Sequence, residues 1–239
     1  MKKYLITAAL AAILVPTLAS AQSDNGWAGE ASLTGSKTTG NTETTDIGLG
    51  LKLAKEGEKW SHKFKALADY GESSGVNNKQ RLALGYQIDR NISERMYVYG
   101  NADYFNDDFG AFKDGYFLGT GLGYKAVLPE PIGWNLEGGL GFRSQSEQEP
   151  SVITTEELAL RGFSDFDYKF NDAVSLYNDT EIIYSSSDTY IWNEIGLTAQ
   201  LMGNLAARAS FRVDNHSNVP VGREKTDTIT RFGVVYTLK

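Results

Sequence analysis

Three observations predict an all-β fold, a transmembrane antiparallel up-and-down β-barrel of about 12 strands. Side chains alternate between apolar and polar along nearly the whole chain; 25 glycines and 12% aromatic residues stand beside only 5 prolines; and no segment beyond residue 21 is a continuous apolar helix. Glycine weakens helices while aromatic residues favour strands, so the composition speaks against a bundle. With no cysteine, stability has to come from hydrogen bonding and packing.

The chain opens MKKYLITAALAAILVPTLASAQ. Lys2 and Lys3 precede an apolar run from Leu5 to Leu18 and the small triplet Ala19-Ser20-Ala21, the pattern of a secretory signal peptide cleaved after Ala21. The run is shorter than the roughly 20 residues of a spanning helix. The expected organisation is therefore a leader at 1–21 and one barrel domain at 22–239. Loss of the leader takes two lysines with it and moves the formal charge from −7 to −9. An acidic chain argues against nucleic acid as a partner, since phosphate backbones require a basic surface.

Strands are expected near 26–37, 44–55, 59–71, 79–90, 94–106, 114–127, 133–145, 156–168, 173–185, 189–201, 204–215 and 226–239, each about as long as a tilted membrane strand needs. The first begins with Trp27, Gly29, Ala31, Leu33 and Gly35 on one parity and Ala28, Glu30, Ser32, Thr34 and Ser36 on the other. It ends in GSKTTGNTETT, whose Gly40-Asn41 pair suits a hairpin tip. Connections after even strands read as tight. Most of those after odd strands (38–43, 72–78, 107–113, 146–155, 216–225) read as longer and polar, with 186–188 the exception. Short periplasmic turns, longer external loops and an even strand count place both termini in the periplasm of an outer-membrane protein.

Strand four puts Leu82, Leu84, Tyr86 and Ile88 opposite Arg81, Gln87 and Asp89; strand eleven puts Leu205, Ala207, Ala209, Phe211 and Val213 opposite Arg208, Ser210, Arg212 and Asp214. A soluble sandwich also alternates, but its strands are shorter, about 5 to 6 residues. Aromatics gather at both strand ends, Trp27, Trp60, Trp134 and Tyr236 at one and Tyr70, Tyr104, Tyr116 and Phe142 at the other, as two interfacial girdles. The last strand, RFGVVYTLK, spaces Arg231, Gly233, Tyr236 and Leu238 in a way that resembles the terminal signal read by the barrel-assembly machinery, although it ends on Lys239 rather than an aromatic residue.

The segment Trp27 to Thr44, with its Trp-x-Gly start and its Thr38, Gly40, Asn41, Thr42 hinge, together with the even run of hairpins, resembles the family of salt-induced outer-membrane proteins (YdiY-like), a domain family of unknown function. The resemblance implies a barrel in the outer membrane, possible links to salt or osmotic stress, and no established activity. The expected surroundings are outer-membrane lipids and lipopolysaccharide.

About 12 strands give a barrel some 24 Å across the backbone. The inward face is expected to carry Lys63, Lys65, Arg81, Asp103, Arg143, Arg161, Asp179, Glu181, Glu194, Arg208, Arg212 and Arg231 as lumen-lining residues. Either these line a narrow pore for ions or small hydrophilic solutes, or they pair and fill a non-conducting structural barrel. Gly119, Gly121, Gly123, Gly139 and Gly141 on the same face argue for open space. Lys63, Lys65, Arg208, Arg212 and Arg231 form a basic stripe or pair with acids such as Glu30 and Glu194.

Enzymatic readings, a lipid-modifying one among them, have only His62 and His216 to work with. His62 falls on the lipid parity. His216, beside Asp214, Asn215 and Ser217, lacks a line of hydrogen bonds, since strand neighbours alternate sides. The expectation is a protein that is not an enzyme, with no cofactor. Asp107, Asp108 and Asp114 lack the spacing of a calcium loop and are expected in a solvated loop.

Overall fold

A computed structural model describes residues 26–41, 44–73, 75–150 and 152–238. The expected leader and Lys239 lie outside the described residues. Twelve strands follow one another: β1 (Trp27–Thr39), β2 (Thr44–Lys55), β3 (Trp60–Ser73), β4 (Val76–Asn91), β5 (Met96–Asp107), β6 (Phe112–Lys125), β7 (Ile132–Glu147), β8 (Thr154–Lys169), β9 (Val174–Ser185), β10 (Thr189–Met202), β11 (Leu205–His216) and β12 (Thr226–Leu238). Each pairs antiparallel with its neighbour in sequence, and β1 pairs with β12, so the sheet is a closed barrel. Closure leaves no strand edge unpaired, which is what a bilayer demands of β-structure.

The closing seam uses the last strand's signal residues. Gly233 lies opposite Thr34, and a Cβ on it would sit 2.2 Å from the Leu33 carbonyl oxygen, so β12 approaches β1 this closely only with glycine there. Arg231 turns inward; Tyr236 turns outward and is exposed.

The outward face is apolar. Leu33, Leu49, Leu82, Leu118, Leu140, Leu160, Leu197 and Phe232 are all exposed. Trp60, Trp134 and Tyr236 mark the terminal end, where both termini emerge, and Tyr70, Tyr104 and Tyr116 the opposite, distal end. His62 belongs to the terminal girdle: its Nδ1 is 2.8 Å from the Tyr86 hydroxyl, and its ring lies 6.4 Å from Trp27. Such a belt between two aromatic rims suits a membrane-spanning barrel.

The expected inequality of the connections needs correction. The distal ones are 40–43, 74–75, 108–111, 148–153, 186–188 and 217–225, and the terminal ones 56–59, 92–95, 126–131, 170–173 and 203–204. Only 217–225 stands out. The expected long loop at 72–78 is mostly strand, because β3 and β4 continue to Ser73 and Val76. Backbone pairing needs no apolar side chain, so polar strand ends extend the ladder past the apolar belt.

Candidate functional site: the lumen and its distal closure

All twelve residues expected to line the lumen border one interior cavity of about 470 Å³, which extends from Thr38, Asp107 and His216 at the distal end to Glu30, Lys52 and Asp165 deep in the barrel. Its wall carries ten basic and ten acidic residues.

The distal mouth is bridged. Asp107 Oδ1 accepts the backbone N–H of Phe109 (3.1 Å) and of Gly110 (2.9 Å), which turns connection 108–111 inward and buries Ala111 and Phe112. This corrects the expectation of a solvated loop for Gly110, Ala111 and Phe112, while Asp108 is exposed as expected. An aspartate that captures the amides just after it builds a tight turn, and Gln148 Nε2 pins that turn through the carbonyls of Asp107 (2.7 Å) and Gly110 (3.2 Å). From β6, Phe112 reaches His216 on β11, five strands away around the ring, with ring centroids 5.0 Å apart. Arg223 Nη1 donates to the Phe109 carbonyl at 3.2 Å and ties the connection 217–225 over the same spot.

His216 stacks on Tyr190 at 4.6 Å, and its Nδ1 lies 2.6 Å from Asp188 Oδ2. Asp188 also holds Arg143, whose Nη2 is 3.0 Å from Oδ2. Burial would raise the Asp188 carboxyl, but the hydrogen bond and charge of His216, the Asn218 amide and Arg143 outweigh it and hold its pKa down at about 2. Asp188 lies in the tight connection 186–188 and is the partner that the strand neighbours of His216 could not supply.

The Gly40-Asn41 hinge joins this closure. Gly40 takes φ +114, and Asn41 donates its backbone N–H to Asp227 (2.5 Å) and its Nδ2 to the Glu224 carbonyl (2.7 Å), while the Glu224 N–H returns to Asn41 Oδ1 (2.6 Å). The polar tip thus clasps the end of connection 217–225.

Below the mouth, ion pairs run along the wall. Arg212 Nη2 meets Asp214 at 2.8 Å with its guanidinium 4.2 Å from the Trp192 ring centre, and Tyr190 donates its hydroxyl to the same carboxylate. Arg231 reaches Asp69 at 3.2 Å and Glu194 at 3.8 Å; Arg212 reaches Glu194 at 3.9 Å. Arg161 bridges Glu137 (2.7 Å) and Glu181 (2.6 Å), and Glu137 also accepts from Tyr97 and Gln87, both at 2.7 Å. Arg208 grips Glu30 with two nitrogens, at 2.6 and 2.7 Å. Of the two arrangements open to the basic residues, Arg208, Arg212 and Arg231 take the paired one.

The inward glycines do not leave open space; aromatic rings occupy it. A Cβ on Gly123 would meet the Tyr97 ring at 2.0 Å, one on Gly139 the Tyr99 hydroxyl at 2.5 Å, one on Gly141 Phe117 at 2.5 Å, and one on Gly196 Tyr177 at 2.2 Å. Each ring reaches into a gap that only hydrogen can border. Cations cover the rings from the lumen side: Lys63 and Lys125 over Tyr97 (5.5 and 5.8 Å), Arg161 over Tyr99 (5.3 Å), Lys52 and Arg208 over Tyr177 (5.5 and 5.2 Å). Sequence reasoning missed Tyr97, Tyr99, Phe163, Tyr177 and Trp192. Their parity, shared with Asn101, Asp103, Arg161, Asp179 and Glu194, was the signal that could have found them.

The family model for proteins of unknown function designated DUF481 matches residues 31–238, and the chain belongs to that family. No curated protein matches it by sequence. Among solved structures it is similar to the NanC porin (TM-score 0.58, 12% identity, covering 86% of this chain and 98% of that one). It is similar also to an outer membrane channel from Pseudomonas putida F1 (0.56, 10%, 88% and 95%). A third likeness is to the translocator domain of the autotransporter NalP from Neisseria meningitidis (0.50, 14%, 88% and 88%). The fold is that of an outer-membrane β-barrel.

Proposed function

We propose that this DUF481 chain is a narrow outer-membrane channel for ions or small hydrophilic solutes, with both termini in the periplasm and a distal mouth that connection 108–111 closes at rest. The observation that carries the reading is the direction of the ion pairs. Each joins positions no more than three strands apart around the ring, so the ion pairs brace the wall, and the side chains that reach across the cavity, Lys52 and Lys65, end at ring faces and not at opposite charges on the facing wall. A lumen plugged by its own ion pairs would carry them across the diameter and not along the wall. The ring-borne cations and the carboxylates beside them give the path both signs, which suits passage of hydrated ions and small polar molecules.

The bridge from Phe112 to His216 favours a second reading, a barrel that stays shut and supports the envelope. We assign His216 no catalytic role, because Asp188, Tyr190 and Phe112 occupy its surroundings. Planar-bilayer recording of refolded protein separates the two. A channel gives discrete conductance steps that grow in frequency or size when Phe112→Ala removes the bridging ring. Silence at several voltages in both the parent and the variant leaves only the structural barrel.

A further inference from the structure

The terminal half of the lumen holds charges that the wall does not neutralise. Among the described residues, no group of opposite charge lies within 4.0 Å of Lys65, Asp103, Asp165, Asp179 or Asp227, whereas each of the other charged groups on the cavity wall has such a partner. Lys52 and Lys63 have partners but remain open, with side chains 48% and 38% exposed, and the Lys52 contact to Glu30 is long at 3.8 Å.

These groups sit on facing walls. Lys65 of β3 extends its Nζ to 5.3 Å from the ring centre of Phe163 on β8, and Lys52 of β2 extends its own to 5.5 Å from Tyr177 on β9. Asp165 follows Phe163 on the same face by two residues, Asp179 follows Tyr177 likewise, and the two aspartates are directly opposite each other in the β8–β9 register. The pair of carboxylates thus shares its wall with two rings, and the lysines of the facing wall extend across the cavity to those rings. Asp165 receives a hydrogen bond at 3.4 Å from Asn135 Nδ2, which leaves the rest of its acceptor capacity open. On the lysine side, the buried Asn101 carbonyl oxygen borders the same cavity without a hydrogen-bond partner.

We propose that this is a binding site for small zwitterions: an ammonium group lies between Asp165 and Asp179, and a carboxylate lies against Lys65 and Lys63. A charged group in a narrow lumen has lost much of its water and gains most from a partner that brings the opposite charge. A simple cation satisfies the aspartates and leaves the lysines bare, and a simple anion does the reverse. One molecule with both signs satisfies both sets of charges at once.

The site rests on the lumen being open to solutes, so its test is kept apart from conductance. Refolded protein in detergent is titrated calorimetrically with glycine, 4-aminobutyrate and 6-aminohexanoate, and with hexanoate and hexylammonium as singly charged controls. At least one zwitterion binds about tenfold or more tightly than either control. Lys65→Met and Asp179→Asn each weaken it by about tenfold or more, and the exchanged pair Lys65→Asp with Asp179→Lys regains affinity, since the zwitterion can turn round. Heat-modifiable electrophoretic mobility verifies that each variant is folded. Controls that bind as tightly as the zwitterions, or a zwitterion affinity that both single variants leave unchanged, overturns the site. Binding without conductance would leave it standing and remove the channel.

Discussion

In the distal half of the lumen each lumenal guanidinium is held by a carboxylate, as Arg143 is by Asp188 and Arg212 by Asp214. In the terminal half Lys65, Asp165 and Asp179 face the cavity without such partners, and Lys52 and Lys63 stay open to it. The difference lies in the chemistry of the cations. A guanidinium presents a rigid fork that fits a carboxylate edge and a ring face together, whereas an ammonium on a flexible stem keeps more of its water. Arginine makes most of the ties of the distal half, with Lys79 on Asp46 beside it, and lysine carries the open positive charge of the terminal half, where Arg208 stays gripped by Glu30.

The largest effect should come from cutting the distal half at its junction. Asp188→Ala removes the shared partner of Arg143 and His216 and leaves the Arg143 guanidinium, which is only 6% exposed, uncompensated. The loss expected is about 3 to 5 kcal/mol, read as a lowered urea midpoint for the refolded barrel, together with a higher open probability in the bilayer. A loss below about 1 kcal/mol would mean that water reaches Arg143 and that the mouth is not closed.

The next effect separates the two faces of one strand. A Cβ on Gly139 would lie 2.4 Å from the Thr120 carbonyl oxygen and 2.5 Å from the Tyr99 hydroxyl, whereas one on Gly138, the next residue, meets nothing within 4 Å. Gly139→Ala is expected to cost about 1 to 3 kcal/mol, with Gly138→Ala close to neutral. Equal costs in thermal or urea unfolding would show that the glycines matter for strand curvature and not as beds for aromatic rings.

A smaller effect on stability, paired with a clear one on selectivity, belongs to the terminal half. Lys52→Met removes an ion pair at 3.8 Å from a side chain that is 48% exposed, so no more than about 1 kcal/mol should be lost. The reversal potential in a salt gradient should nonetheless move toward cation preference, because the lumen loses one positive charge. An unchanged reversal potential would place the Lys52 ammonium outside the conducting path.

How much of this could be read from the sequence follows from which interactions are local. Alternation fixes the face of each residue, so the strands, the girdles and all twelve lumenal candidates from Lys63 to Arg231 are legible without coordinates. What a side chain touches inside is set by shear and register, which the alternation does not carry. Gly123 and Tyr97 share the inward parity, yet only their opposition in the β5–β6 register makes one the bed of the other. The same limit hid Phe112, whose position at the start of β6 gives no hint that it crosses to β11, and Asp188, whose short connection seemed an exception among loops rather than the junction of two strands. The ends of β3 and β4 were obscured for another reason: their polar residues lie past the belt, where pairing continues and hydrophobicity gives no signal.

The last effect is one of pH, and its sign sharpens the contrast between the halves. The Asp188 carboxyl lies at about 2 in the folded barrel, below its ordinary 3.8, so between these values the unfolded chain binds a proton that the folded one does not. Stability from this group is therefore fully present above about pH 4 and is lost as the pH falls through about 2. From pH 7 to pH 5 the junction should hold unchanged. Below pH 4 the parent should lose stability faster than Asp188→Asn, which carries no proton-binding group at that position. Unfolding midpoints collected at closely spaced pH values test this, since the two curves should converge toward pH 2. Parallel curves through that window would mean that Asp188 is not held by His216 and Arg143 in solution, and the tied distal half would then need another anchor.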